Sequence, residues 1–251
     1  MMPFRSVQCL SPNHDARPIG VAIDMLVLHY TGMKTADEAL GRLCDPSAKV
    51  SAHYTIDTKG CVYAHVQEER RAWHAGVSHW AGRNAVNACS IGIELVNPGH
   101  EFGYVPFTDD QIVSLIDLAH GILSRHAIPP ARVLAHSDVA PARKTDPGEL
   151  FPWRRLAENG IGVWPKIKNP PPPCGGRQRQ RTDGPVKPDR VGGKNTDFAK
   201  NLARFGYGVP PQVDVPLEAV VAAFQRHFRP SCIDGVADDE CSAVLAGLLA
   251  L

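Results

Sequence analysis

The hydrophobic positions along the chain change period several times, and each change marks an element. Residues 23–28 form a short, largely apolar run bounded by turn residues, which predicts a buried strand. Residues 51–57 and 61–66 flank Thr58-Lys59-Gly60 and predict a hairpin. From 90 to 96 the pattern alternates, with Ile91, Ile93 and Leu95 on one face and Gly92, Glu94 and Val96 on the other. Val133-Leu134-Ala135 is a further short strand. Helical spacing appears elsewhere. Thr35-Ala36-Asp37-Glu38 and Thr108-Asp109-Asp110-Gln111 are capping boxes, and the second opens a stripe of Ile112, Leu115, Ile116, Ala119, Ile122 and Leu123. Residues 151–158 predict a last helix. Alternating strands and helices imply an α/β fold, a central mixed β-sheet flanked by helices.

The pattern stops after Trp164. Residues 165–196 are rich in Pro, Gly and basic side chains, with four consecutive prolines from Pro170, and read as a linker. Beyond it, Phe198, Leu202 and Phe205 keep helical spacing before Gly206, a plausible C′ stop. Leu217, Val220, Val221, Phe224 and Phe228 mark a second helix, and 241–249 a third. The expected organisation is a domain over 19–164, a linker over 165–196 and a small three-helix module over 197–251. A flexible tether implies that this module leaves the geometry of the first domain nearly untouched.

Composition narrows the function. The chain has 251 residues, with 27 Lys+Arg against 26 Asp+Glu and a net charge of +1. Such balance gives no general attraction to nucleic acid or anionic membrane, and the basic linker lacks interleaved aromatics. Hydrophobic residues make up 43% and charged ones 21%, enough for a core. No apolar run approaches the roughly 18 residues of a membrane span. The N-terminus shows no apolar h-region, and the seven cysteines are scattered without a Cys-x-x-Cys pair. Both features lead to the expectation of a cytoplasmic protein with unpaired thiols.

The candidate chemistry lies among the eleven histidines. His29 ends the first buried strand and His136 ends another short apolar strand. Asp146 follows in the turn-forming stretch Lys144-Thr145-Asp146-Pro147-Gly148. Two imidazoles and a carboxylate, with a fourth position left to water, are a ligand set for catalytic zinc. Spacing alone leaves open a chance grouping in a His-rich chain.

Six segments occur in one order: Val27-Leu28-His29-Tyr30-Thr31, Val50-Ser51-Ala52-His53-Tyr54-Thr55-Ile56, Arg71-Ala72-Trp73-His74-Ala75-Gly76, Ser90-Ile91-Gly92-Ile93-Glu94-Leu95, Ala135-His136-Ser137-Asp138 and Lys144-Thr145-Asp146-Pro147-Gly148. Together, over about 19–164, they resemble the zinc-dependent N-acetylmuramoyl-L-alanine amidases of the type-2 amidase family, to which peptidoglycan recognition proteins are related. The resemblance implies one Zn2+ per chain on His29, His136 and Asp146, with Glu94 as catalytic acid–base and Lys144 beside the metal. It implies hydrolysis of the amide joining N-acetylmuramic acid to L-alanine, in peptidoglycan or muropeptides. His74 and Arg71 are expected to line the substrate groove. Asn97, just past the Glu94 strand, is a further candidate contact, and His53 is expected to pack rather than ligate. Another reading within the same resemblance is a non-catalytic muropeptide recognition protein. Such relatives usually lack a zinc ligand, whereas all three positions are filled here. The tail from Val220 resembles the second half of a peptidoglycan-binding three-helix domain, but 198–205 lacks that domain's Leu-Gln pair, so a purely structural cap is the alternative.

Overall fold

The computed structural model describes residues 6–165 and 191–251, with side chains in the second stretch from 196 onward. The proline run and most of the expected linker lie outside the described residues. Among these residues, eight strands form two sheets. β1 (Ser6–Gln8), β3 (Met25–Tyr30), β4 (Tyr54–Ile56), β5 (Val62–Ala64), β7 (Ser90–Leu95) and β8 (Val133–Ala135) build a sheet ordered β1-β5-β4-β7-β3-β8. Its central strands β4, β7, β3 and β8 are mutually parallel, while β5 runs antiparallel to β4 as the expected hairpin. β2 (His14–Ala16) and β6 (Arg70–Ala72) form a separate antiparallel pair. This is the mixed sheet flanked by helices that the alternation implied.

Strand parity sorts the core into two faces. Leu26, Leu28, Ile91, Ile93 and Leu95 point to one face, where they meet the stripe of α4 (Asp109–Arg125) and the aromatic start of α6 (Trp153–Glu158). Thr108 and Gln111 close the foreseen capping box of α4, and Thr35 caps α1 (Ala36–Cys44) by accepting from the Glu38 amide at 3.1 Å. The opposite face carries Met25, Val27 and Leu134. There they share a core with Trp80, α2 (Val86–Cys89) and the C-terminal helices α7 (Val191–Phe205), α8 (Leu217–Phe228) and α9 (Asp239–Leu249).

Two expectations change. α7 begins at Val191, inside the stretch read as linker. The C-terminal helices do not stand off from the sheet; they cover its second face. Tyr207 and Trp80 pack edge to face at 4.8 Å between ring centroids, and His227 stacks on Trp153 at 3.7 Å. The periodicity of the tail showed that each helix has an apolar stripe, but not what would cover it. Ordered structure also reaches back before residue 19. Arg17 donates to the carbonyls of Glu68, Asn87, Ala88 and Ser90, tying the N-terminal segment to the start of β7. Among the described residues no helix is long and apolar enough to cross a membrane.

Candidate active site

Three adjacent parallel strands, β7, β3 and β8, end at one edge of the sheet, and the residues capable of chemistry sit at those ends. In the β3–β7 register Val27 lies opposite Gly92 and His29 opposite Glu94, so His29 and Glu94 emerge side by side on the same face. β8 passes directly into α5 (His136–Val139), whose first residue is His136. The loop that follows brings back Asp146, whose carbonyl accepts from the Ser137 amide at 3.0 Å. The carboxyl ends of parallel strands are where open α/β sheets place their sites.

His29 Nδ1, His136 Nδ1 and Asp146 Oδ2 form a buried triangle with edges of 2.9, 3.0 and 3.2 Å. The surrounding bonds decide where the ring protons lie. Ser90 Oγ donates to the Val86 carbonyl at 2.7 Å, so it accepts from His74 Nε2 at 3.1 Å. His74 Nδ1 is then an acceptor, and His29 Nε2 donates to it at 3.0 Å. His136 Nε2 faces the Ala75 carbonyl at 3.2 Å and must donate. Both Nδ1 atoms are thereby left as lone pairs aimed at each other and at a carboxylate oxygen, an arrangement that requires positive charge among them. Metal–ligand bonds of about 2.0–2.2 Å fit a cation seated over a triangle of this size.

Burial, with His136 beside it, brings the pKa of His29 down to about 4, so its ring is neutral and free to ligate. Burial also holds His74 well below the ordinary imidazole range. For Asp146 burial acts upward, but the facing His136 and His29 outweigh it and keep the carboxyl well below the usual carboxylate range. Glu94 goes the other way. Burial, reinforced by the Asp146 charge and opposed by Lys144, raises it well above the ordinary value, and its Oε2 is buried without a hydrogen-bond partner. An unpartnered carboxyl oxygen next to a cation seat is placed to exchange a proton with something that binds there.

The site opens into a cleft of about 350 Å3 lined by His136, Asp146, Glu94, Lys144, Trp73 and Tyr30, among others. A larger cavity of about 1110 Å3, between 129–131, 162–165 and the C-terminal residues, holds neither of the clustered His, Cys and acidic groups found among the described residues. Chemistry, not volume, marks the site.

The structure brings together five of the residues singled out from sequence: His29, His136, Asp146, Glu94 and Lys144. It gives the other three different work. His74 touches the cleft but spends both ring nitrogens on His29 and Ser90, so it orients His29. Gly92 makes this possible, because a Cβ there would lie 2.4 Å from His74 Cγ. Arg71 is forked onto Asp15 across the β2–β6 pair and is not among the cleft-lining residues. Asn97 uses its amide within its own loop, donating to the Val105 carbonyl at 2.8 Å and accepting from the Gly99 amide at 3.0 Å. His53 packs as expected, accepting from the Gly92 amide at 2.9 Å. Sequence reasoning missed Tyr30, Trp73 and Arg143 as cleft walls; Tyr30 and Trp73 each adjoin a singled-out histidine, the one available signal.

The sequence profile of the N-acetylmuramoyl-L-alanine amidase family (Amidase_2) matches residues 19–149. The amidase AmiD of Escherichia coli K12 is 40% identical over 241 residues, covering 90% of this chain and 82% of its own. The chain belongs to the N-acetylmuramoyl-L-alanine amidase family. It is an enzyme of that class. The anhydro-muramyl amidase AmpD of Haemophilus influenzae is 36% identical over 166 residues, 59% of this chain and 88% of that one. Among solved structures, E. coli AmiD in complex with anhydro-N-acetylmuramic acid-L-Ala-D-γ-Glu-L-Lys superposes with a TM-score of 0.76 at 36% identity, over 93% of this chain and 91% of that one. AmpDh3 of Pseudomonas aeruginosa gives 0.74 at 34% identity, over 93% and 94%. The likeness to AmiD and AmpDh3 therefore takes in the C-terminal helices as well as the sheet.

Proposed function

We propose that this amidase is zinc-dependent and cleaves the amide between the lactyl group of N-acetylmuramic acid and L-alanine, in anhydro-muropeptides and peptidoglycan. The observation that carries the proposal is the convergence of two imidazole lone pairs and a carboxylate oxygen beside the unpartnered Glu94 oxygen. The substrate class rests on AmiD and AmpDh3, whose solved complexes hold anhydro-muramyl peptides.

His29, His136 and Asp146 would hold the ion. When bound, zinc supplies a Lewis acid that polarises the scissile carbonyl and acidifies water toward a pKa of about 7. The protein's own groups do the rest. Glu94 takes the proton of the attacking water and returns it to the departing amine of L-alanine, help worth about 10²–10⁴-fold in rate. The raised affinity of its carboxyl for a proton suits both directions of that transfer. Lys144 lines the same cleft, two residues before Asp146, and its ammonium is available to the oxyanion that develops at the attacked carbonyl. The Ser90–His74–His29 chain keeps the His29 proton on Nε2 and its Nδ1 lone pair toward His136 and Asp146, where it would meet the ion. Of the C-terminal helices, the packing supports a structural role over a separate glycan-binding one, since their apolar stripes are spent on the sheet.

Product analysis tests this reading. Incubation with an anhydro-muramyl tetrapeptide should release free anhydro-N-acetylmuramic acid and a peptide beginning with L-alanine. A strong chelator should abolish the reaction and added zinc restore it. Cleavage at a peptide bond within the stem, or full activity in chelator, overturns the proposal.

A further inference from the structure

A second cluster of reactive side chains lies away from the zinc ligands. Cys9, just past β1, and Cys44, the last residue of α1, bring their sulfurs to 3.2 Å although 35 residues separate them. Both are partly exposed thiols. Their backbones are held in place. The Cys9 amide donates to the Ala64 carbonyl at 2.9 Å, and its carbonyl accepts from His65 Nδ1 at 2.7 Å. On the other side, Ser11 Oγ donates to the Leu43 carbonyl at 2.5 Å, and Asn13 Nδ2 reaches the Asp45 carbonyl at 2.8 Å.

Cys9, Cys44 and His65 also resemble a soft-metal site, and the geometry separates the two possibilities. His65 donates from Nδ1 to the Cys9 carbonyl at 2.7 Å and its Nε2 meets Thr55 Oγ1 at 2.9 Å, so neither ring nitrogen is free to ligate, and the two sulfurs touch each other at 3.2 Å. We propose that Cys9 and Cys44 form a redox-responsive disulfide that staples the N-terminal segment to the helix walling the active-site cleft. Closing the bond to about 2.05 Å asks for little more than 1 Å of movement.

The oxidant is a low-molecular-weight disulfide. One cysteine thiolate attacks it, forming a mixed disulfide and releasing one thiol. The second cysteine thiolate attacks the protein sulfur of that mixed disulfide and releases the other thiol. The protein loses two hydrogens, and the small disulfide is reduced to two thiols. Leu43, the neighbour of Cys44, lines the cleft, so the bond fastens one wall of the site. It closes a loop of the length that stabilises chiefly by restricting the unfolded chain.

The test uses the full chain with oxidised glutathione, then dithiothreitol. Oxidation should remove two of the seven thiols titrated in denaturant and lower the intact mass by two hydrogens. Digestion should yield one cross-linked peptide pair containing Cys9 and Cys44. The melting temperature should rise by about 5–10 °C and return on reduction. Cys9→Ser and Cys44→Ser should each abolish both the cross-link and the rise, with turnover at 25 °C unchanged. Seven thiols persisting after oxidation, a cross-link between other cysteines, or the same rise in Cys9→Ser would overturn the proposal. So would a stoichiometric zinc ion lost on Cys9→Ser, which would make the cluster a metal site.

Discussion

Replacing Tyr207 with Phe isolates what the C-terminal helices do for the catalytic half of the molecule. Asp138 lies two residues after His136 and is 1% exposed. Its Oδ2 accepts from the Ala135 amide at 2.7 Å and from His227 Nδ1 at 2.6 Å, while Oδ1 accepts from the Tyr207 hydroxyl at 2.6 Å. Two of these three donors come from the C-terminal part, and the third is the residue immediately before His136. Burial, then the Asp138 charge, raises the Tyr207 pKa well above the ordinary phenol value, so the hydroxyl stays protonated and donates. Phe keeps the ring contacts with Trp80 and Phe224, so no cavity opens. The change removes one hydrogen bond to a buried acidic group, worth about 1.5–3 kcal/mol. In a chain of this size that lowers the melting temperature by about 4–10 °C. Tyr63→Phe is the control, because the bond it breaks to Asp57, at 3.2 Å, is only partly buried and should cost under about 1 kcal/mol. Calorimetry on both variants measures the difference. Equal melting temperatures for Tyr207→Phe and the unmodified protein would refute the view that the tail supports the site through Asp138.

Three further outcomes follow from the same packing. A chain ending at Pro165 should fail to fold stably. It would expose Met25, Val27, Trp80, Leu134 and Val139 at about 1.5–3 kcal/mol each, against a total stability of about 5–15 kcal/mol; a soluble, cooperative unfolding transition for that chain would contradict this. Gly92→Ala should push His74 off His29 and weaken zinc binding by about 10–100-fold, read by chelator competition. Stability should fall on acidification in two stages. Burial, with Arg17 alongside, depresses His53 to about 3, so the unfolded chain takes up its proton first and stability drops below about pH 6.5, by up to about 1.4 kcal/mol per pH unit. For Glu68, burial acts upward but the bonds from Arg125, His126 and Tyr54 prevail and depress it to about 2. Its contribution is complete above about pH 4.5 and is lost as pH falls toward 2, which denaturant titrations at stepped pH will resolve.

The sequence was most legible where one physical rule governed. Alternation at 90–96 separated Ile91, Ile93 and Leu95, which meet α4, from Gly92 and Glu94, which face the site. Capping residues located α1 and α4 because they satisfy backbone donors locally, though only α4 closes the full box and at α1 the Glu38 carboxylate turns to the Lys34 amide instead. Motif order picked out His29, His136, Asp146, Glu94 and Lys144, which the strand ends and the loop after α5 gather at one site. What it could not carry was pairing over long distances. Nothing local reveals that Arg71 will meet Asp15, that His74 will point at His29, or that Tyr207 and His227 will converge on Asp138. A helical stripe states that a face must be buried and leaves its partner unnamed. The strands at Ser6–Gln8 and His14–Ala16 were equally hidden, being short, polar and dependent on the strands they pair with.

The central claim is that His29, His136 and Asp146 hold a zinc ion while Glu94 moves protons beside it. Zinc content and turnover of the muramyl–L-alanine amide, measured on the same preparations of Glu94→Gln and His136→Ala, test it most directly. Glu94→Gln should retain one zinc per chain with turnover reduced by about 10²–10⁴-fold, while His136→Ala should lose both metal and activity. Near-normal turnover in Glu94→Gln, or stoichiometric zinc in His136→Ala, would contradict the account.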